Sequence, residues 1–192
     1  MHRAARVCVR PLVATKITPN HLTTLRLLTG VVAAAAFALG TRGGDIAGGI
    51  VFVLSAFLDR ADGELARLSG RTSQHGHAYD LASDVACNVI AFIGIGIGLS
   101  HGPLGDTAIL MGVLAAASIG AIFGVVAVMD GGDGDAFPGA GGFDPDDTLF
   151  IVGPLAWLGL LQPLLYAAAV GAPLFLVFAF WRFRSFSRQP SR

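Results

Sequence analysis

The chain has few charged side chains, and this scarcity excludes most soluble folds. Asp, Glu, Lys and Arg together make up 14% of its 192 residues, whereas 54% are hydrophobic. Soluble globular domains carry about 25% charged residues, and a water-soluble core of this length could not bury so much apolar surface. The composition therefore predicts an integral membrane protein built entirely from α-helices.

Lysine and arginine are absent from the whole stretch between Thr72 and Phe180. Long uncharged runs occur there and earlier in the chain, and a helix needs roughly 20 mostly apolar residues to cross a bilayer. We therefore expect six transmembrane helices, at about 22–40, 46–68, 77–100, 107–129, 148–161 and 164–182. The last two are the least sharply bounded, because Pro154, Pro163 and Pro173 offer possible breaks.

Most of the basic residues fall into three groups that six spans would place on one side of the membrane. The groups are Arg3, Arg6, Arg10 and Lys16; Arg60, Arg67 and Arg71; and Arg182, Arg184, Arg188 and Arg192. Because basic loops are retained in the cytoplasm, we expect a multi-pass protein of the cell membrane with both termini cytoplasmic. The formal net charge is zero, which gives no overall field to recruit nucleic acid.

The N-terminal arginines are spaced by three and four residues, so they would share one face of a helix. We expect this helix to lie on the membrane surface and to end near Pro11; a disordered basic tail is the alternative. The expected organisation is a cytoplasmic juxtamembrane segment with this interfacial helix at 1–18, a six-helix membrane domain at 19–186 and a cytoplasmic tail at 187–192.

Cysteine is also scarce, with only Cys8 and Cys87. One is predicted near the membrane surface and the other inside a span, so a disulfide between them is not expected. A stretch rich in glycine and aspartate, residues 130–147, joins the fourth and fifth spans. It lacks the spacing of an EF-hand calcium loop, and we expect a flexible, solvated loop.

Four aspartates lie where the second and third predicted spans reach the cytoplasmic surface. At 100° per residue, Asp59 and Asp62 share one helical stripe, and Asp80 and Asp84, four residues apart, share another. The second span is expected to end at about Ser69, and a turn of roughly seven residues, GRTSQHG, would bring the third back antiparallel from near His77. The two acidic stripes are then expected to face each other.

Four carboxylates in one cleft repel one another, and an ionised group inside a bilayer is costly. Solvation, ion pairing with Arg60, Arg67 and Arg71, or bound cations would each offset that cost. Spacing and charge alone leave these alternatives open. If cations bind, ligands that offer only oxygen favour a hard ion such as Mg²⁺ or Mn²⁺.

The residues around these aspartates resemble a family signature. The pattern is Asp59-x-x-Asp62-Gly63-x-x-Ala66-Arg67, then eight residues, then Gly76-x-x-x-Asp80-x-x-x-Asp84. It is similar to the signature of the CDP-alcohol phosphotransferases, and all eight defining positions match. The resemblance implies a six-helix membrane fold with cytoplasmic termini. It also implies an enzyme of phospholipid biosynthesis that cleaves a CDP-linked donor, releases CMP and passes the phosphoryl group to an alcohol.

The resemblance further implies a pair of divalent cations, Mg²⁺ or Mn²⁺, bound by Asp59, Asp62 and Asp80. Asp84 would join this cluster and act as the base for the acceptor hydroxyl, with a purely metal-binding role as the alternative. Two bound ions suit the cleavage of a diphosphate, because they neutralise charge on the leaving group. Family members are also homodimers, so the resemblance implies a homodimer here.

Nucleotide contacts follow from the same resemblance. Gly63 and Ala66 would leave room for the cytidine, and Arg67 would bind the diphosphate, with an ion pair to Asp62 or Asp59 as its alternative role. Asn20 and Thr23, near the start of the first span, would touch the donor phosphates or simply cap the helix. Arg26, one turn further in, is expected to meet phosphate or one of the aspartates.

The signature leaves both substrates open. CDP-diacylglycerol is the simplest donor, and a CDP-linked headgroup such as CDP-choline or CDP-ethanolamine, passed to a lipid alcohol, is the alternative. The absence of Lys and Arg from Thr72 to Phe180 favours an acceptor that is neutral, zwitterionic or cationic. A divalent-cation transporter is an alternative of another class, although such sites usually lie at the bilayer midplane between repeats.

Overall fold

The computed structural model describes residues 2–130 and 150–186 of the chain. It contains seven α-helices within these residues, which we label α1 to α7. They are α1 (His2–Val9), α2 (Pro19–Ala38), α3 (Arg42–Ser69), α4 (Gln74–Ser100), α5 (Asp106–Asp130), α6 (Val152–Trp157) and α7 (Leu161–Phe186). No strand occurs in the described part of the chain. The predicted all-α membrane fold is confirmed.

Six of the helices pack into a closed ring, in the order α2, α3, α6, α7, α5, α4 and back to α2. Apolar side chains fill its interior, among them Phe37, Phe52, Phe92, Ile95 and Leu165. Although α3 and α4 are consecutive in the chain, α2 packs along both of them and they have almost no direct contact with each other. The two acid-bearing helices are therefore separated by α2 over most of their length.

Four of the described helices are long and apolar enough to cross a membrane: Pro19–Ala38, Gln74–Ser100, Asp106–Val125 and Leu161–Trp181. The 28-residue α3 is long enough to span, at about 42 Å, but it also carries the acidic residues of the motif. The predicted span at 148–161 is represented by the six residues of α6, about 9 Å of helix. The predicted loop at 130–147 lies outside the described residues from residue 131 onwards, as do residues 148 and 149. The count of six stays a prediction.

The ends of the helices near the aspartates are set by local capping. Thr18 is the N-cap of α2, its backbone N–H donates to Nδ1 of His21 at 3.2 Å, and Pro19 occupies the first turn. Gly70, with φ of 64°, ends α3, and the Ser73 hydroxyl accepts the backbone N–H of Gly76 at the start of α4. Because Ser73 caps the helix, α4 begins at Gln74, three residues before the expected start, and the connection is four residues long.

Glycines allow α4 to approach its neighbours closely. A Cβ on Gly94 would collide with the carbonyl oxygen of Ala34, and one on Gly98 would collide with that of Phe37, both on α2. A Cβ on Gly96 would lie 2.7 Å from the carbonyl oxygen of Ala108 on α5. These contacts bring α2, α4 and α5 together at the end of the bundle opposite the aspartates.

The N-terminal helix is present, as the arginine spacing predicted. Ala5 and Val9 are buried, and Val9 packs with Ala61 and Leu65 of α3, while Arg6 is exposed. A short 3₁₀ turn at Arg10–Leu12, which contains Pro11, follows the helix. Its position at the membrane surface stays a prediction. The structure also leaves both cysteines free, Cys8 exposed and Cys87 buried.

Candidate functional site

Three of the four aspartates converge at one point of the ring. Asp59, Asp62 and Asp80 each offer a carboxylate oxygen, and these atoms all lie within 4.8 Å of one another. Asp62 is buried, whereas Asp59 and Asp80 are partly exposed. The carboxylates of α3 and α4 therefore lie close together, as the helical stripes predicted. The two helices themselves each pack against α2.

The first turn of α2 fixes one member of this trio. The Thr23 hydroxyl donates to Oδ2 of Asp62 at 2.7 Å, and both side chains are buried. Thr23 therefore orients a carboxylate from the neighbouring helix. Helix capping, the other role considered for Thr23 and Asn20, belongs to Thr18 instead.

Arg26 lies one turn deeper and joins the acids from the inner side. Its Nη1 is 2.8 Å from Oδ1 of Asp59 and 3.5 Å from Oδ1 of Asp80, and its Nη2 contacts Oδ1 of Asp84. The guanidinium is almost completely buried, and its Nε has no hydrogen-bond partner. The prediction that Arg26 meets an aspartate is confirmed. Asp84 is bound to Arg26 and is not part of the trio.

A cavity of about 210 Å³ opens beside the trio on its outer side. All five residues predicted to bind the CDP donor line it: Asn20, Thr23, Gly63, Ala66 and Arg67. Gly76, together with Asp62 and Asp80, also contributes to the wall. A Cβ on Gly76 would meet Asn20 Oδ1 at 3.3 Å, so this glycine gives space beside α2.

The sequence reasoning missed several residues of this outer cavity. They are Pro19, Arg71, Thr72, Ser73 and His77. Because α4 begins at Gln74, His77 lies in the first turn of this helix. Ser73 as a helix cap is the signal that could have found Ser73 and His77, because the cap fixes where α4 begins.

Arg67 is paired with Glu64 and not with an aspartate. Its Nη2 donates to Oε1 of Glu64 at 2.9 Å, and the Arg67 side chain remains 59% exposed. The alternative of an ion pair with Asp62 or Asp59 is therefore wrong. Half-exposed and held by one bond, the guanidinium can turn towards a ligand in the cavity. Arg71, on the same cavity wall, donates to the carbonyl oxygen of Ile17 at 3.3 Å.

A second, much smaller cavity lies at the inner end of the acidic cluster. Its volume is about 20 Å³, enough for one water-sized particle. Arg26, Asp59, Asp84, Ser55 and Asn88 are among the residues that line it. Asn88 Nδ2 donates to the backbone carbonyl of Asp84 at 2.9 Å. Asp59 therefore belongs to the trio and also lines this inner cavity.

The trio is chemically suited to a hard divalent cation. Its three donors are all carboxylate oxygens, which Mg²⁺ and Mn²⁺ prefer. Ligands on opposite sides of one Mg²⁺ lie about 4.2 Å apart, twice the metal–oxygen distance, so oxygens within 4.8 Å of one another need only small side-chain shifts. The residues present fit a metal site.

Comparisons with known proteins agree with the motif. A family model described as CDP-alcohol phosphatidyltransferase matches residues 16–181. Archaetidylinositol phosphate synthase of Pyrococcus horikoshii is 37% identical over 82 residues, which are 43% of this chain and 42% of that protein. Bifunctional IPC transferase and DIPP synthase of Thermococcus kodakarensis is 37% identical over 84 residues, 44% of this chain and 18% of that protein. The chain thus matches less than half the length of both relatives.

A solved structure has the same fold. Phosphatidylinositol phosphate synthase of Mycobacterium tuberculosis, crystallised with CDP-DAG bound, superposes with a TM-score of 0.68. The match covers 93% of this chain and 94% of that chain, at 21% sequence identity.

Proposed function

The chain belongs to the CDP-alcohol phosphatidyltransferase family, and we propose that it transfers a phosphatidyl group from CDP-diacylglycerol to a small polar alcohol with release of CMP. One observation carries this proposal: the carboxylate trio borders a cavity of about 210 Å³ that is lined by the small and basic residues of the same motif. A metal site and a nucleotide-sized space are thus adjacent.

The outer cavity is the proposed donor site. Gly63 and Ala66 present little side-chain volume on its wall, which leaves space for a planar base. Arg67 and Arg71 supply guanidinium groups, which are suited to diphosphate oxygens. Asn20 and Thr23 add polar groups at the start of α2. The similar mycobacterial protein was crystallised with CDP-DAG bound, which supports a lipid-linked donor over a CDP-linked headgroup.

We assign Asp59, Asp62 and Asp80, with Asp84, to the binding of two Mg²⁺ or Mn²⁺ ions. When bound, such ions would polarise the diphosphate and offset the negative charge that develops on CMP. The protein's own part is to hold the carboxylates in register. Thr23 does so for Asp62 through the 2.7 Å hydrogen bond.

Asp84 is the proposed base for the acceptor hydroxyl. Its carboxylate lies one helical turn deeper than that of Asp80 and borders the inner cavity, on the side of the cluster away from the donor cavity. A base must lie within hydrogen-bond reach of the proton it accepts, so this proposal requires the acceptor hydroxyl to approach the cluster at Asp84.

We further propose that the site and both termini face the cytoplasm and that the chain forms a homodimer in the cell membrane. The exposed apolar residues of α7, which include Leu174, Val177 and Trp181, suit contact with lipid or with a second copy. The basic residues of α1 suit the cytoplasmic leaflet.

The test is CMP release by the purified protein in lipid nanodiscs with Mg²⁺, a panel of alcohols and either CDP-diacylglycerol, CDP-choline or CDP-ethanolamine. We expect CMP from CDP-diacylglycerol and none after Asp80→Asn. Asp106→Asn, which changes an exposed acid at the start of α5, is the matched control and should retain activity. CMP only from the CDP-linked headgroups would indicate the alternative transfer. No CMP from any donor, with divalent-ion flux in vesicles, would indicate a transporter.

A further inference from the structure

Arg26 is an unusual neighbour for a site that binds two divalent cations. Its guanidinium contacts Asp59, Asp80 and Asp84, and of these Asp59 and Asp80 also belong to the carboxylate trio. It also borders the inner cavity of about 20 Å³, where Asp59 and Asp84 offer the remaining acidic surface. The positive charge of Arg26 therefore lies where a second cation would find its ligands.

We propose that Arg26 is an exchangeable counterion, which neutralises the inner end of the acidic cluster until a second divalent cation displaces its guanidinium from Asp59 and Asp84. This inference rests on the metal site put forward above. Within the trio, Asp62 is held by Thr23, whereas Asp59 and Asp80 contact Arg26. We therefore expect the first ion to bind on the Asp62 side of the cluster.

The charges in the cluster favour exchange over coexistence. A guanidinium and a divalent ion that share two carboxylates would lie a few ångströms apart and repel each other strongly in a buried site. The Ser55 hydroxyl donates to the backbone carbonyl oxygen of Arg26 at 2.9 Å and makes no bond to its guanidinium. The Nε group has no partner, so fewer bonds hold the side chain than a guanidinium can form.

The decisive variant is Arg26→Gln, which removes the charge and keeps a polar side chain. We expect the weaker of two Mn²⁺ binding events, measured by isothermal titration in nanodiscs, to become tighter by about tenfold or more, because a like charge at about 5 Å opposes the ion even in a high dielectric. If Arg26 had a purely structural role, Arg26→Gln would instead weaken the binding of both ions, because the substitution would disturb the site.

Two further variants separate charge from shape. Arg26→Lys keeps the positive charge and should leave the weak Mn²⁺ event near its wild-type strength. Arg42→Gln is the matched control, because Arg42 donates to the carbonyl oxygens of Ala156 and Trp157, away from the acids. It should leave both Mn²⁺ affinities unchanged.

Thermal unfolding gives a second readout. Without metal, Arg26→Gln leaves the four carboxylates without this counterion, so we expect a lower Tm than in the wild type. Mn²⁺ should then raise the Tm of the variant by more than it raises that of the wild type. Equal gains, or unchanged or weaker binding of both ions in Arg26→Gln, would overturn the exchange.

The outcomes also separate this inference from the proposed function. If the wild-type protein binds no Mn²⁺ at millimolar concentration, the metal site and the inference that rests on it both fail. If the wild type binds Mn²⁺ but Arg26→Lys tightens the weak event as much as Arg26→Gln does, only the role of Arg26 fails.

Discussion

Thr23 and Arg26 lie one helical turn apart on α2 and hold different members of the acidic cluster. Thr23 donates a short hydrogen bond to Asp62, and Arg26 forms ion pairs with Asp59, Asp80 and Asp84. Helical periodicity was enough to predict that the aspartates would form stripes, because the angle between residues is fixed. It could not predict that Arg67 pairs with Glu64, because long side chains reach several partners from one backbone position.

The bond from Thr23 to Asp62 predicts a defect in metal use. Thr23→Val removes the hydroxyl from a buried carboxylate, so we expect the Mg²⁺ concentration for half-maximal CMP release to rise by roughly 10- to 100-fold, as is usual for residues that orient metal ligands. Thr23→Ser should largely restore the wild-type value.

Thr29→Val is the matched control on the same helix, because the Thr29 hydroxyl bonds only to the backbone carbonyls of Leu25 and Arg26. An unchanged Mg²⁺ requirement in Thr23→Val would contradict the orienting role. The Mg²⁺ dependence of CMP release measures all three variants.

At the scale of the helices, most boundaries were predicted within a few residues, because caps and apolar runs are local signals. The packing of α3 and α4 on either side of α2 was not predicted. Consecutive helices with a short connection usually pack together, whereas here Gly94 and Gly98 let α4 lie against α2, and α2 in turn contacts α3. Such close approach depends on which glycine contacts which residue of the neighbouring helix, and a single sequence does not reveal those contacts.

The contact of α2 with α4 predicts a loss of stability on adding one methyl group. A Cβ on Gly94 would collide with the Ala34 carbonyl, and overpacking of this kind costs about 1–3 kcal/mol. Gly94→Ala should therefore lower the Tm in detergent. Gly43→Ala, at an exposed position of α3 where a Cβ meets nothing within 4 Å, should leave the Tm unchanged or raise it, and an equal Tm in the two variants would refute the contact.

On the scale of the whole molecule, the chain has basic residues near the donor site and none between Thr72 and Phe180. Among the described residues that line the inner cavity, Arg26 carries a positive charge, and this charge is already paired with Asp59 and Asp84. The charge distribution of this chain therefore points to an acceptor that the acidic cluster does not repel.

The charge distribution predicts an acceptor without a phosphate group. With CDP-diacylglycerol as donor, serine, inositol or choline should release CMP with a kcat/KM at least about tenfold higher than inositol phosphate or glycerol phosphate, since a dianion is poorly steered into an acidic cleft. The comparison uses CMP release at fixed Mg²⁺. A clear preference for either phosphorylated acceptor would show that the prediction is wrong.

Because α2 lies between α3 and α4, substitutions at residues that touch no aspartate can alter the metal site. The ligands of the trio come from two helices whose separation is set by the width of a third, so the ion-binding strength depends on residues that touch no acid. Gly30 is such a residue, because a Cβ there would lie 2.5 Å from Sγ of Cys87 on α4. Evolution of this site is therefore constrained by the thickness of a spacer helix as well as by its aspartates.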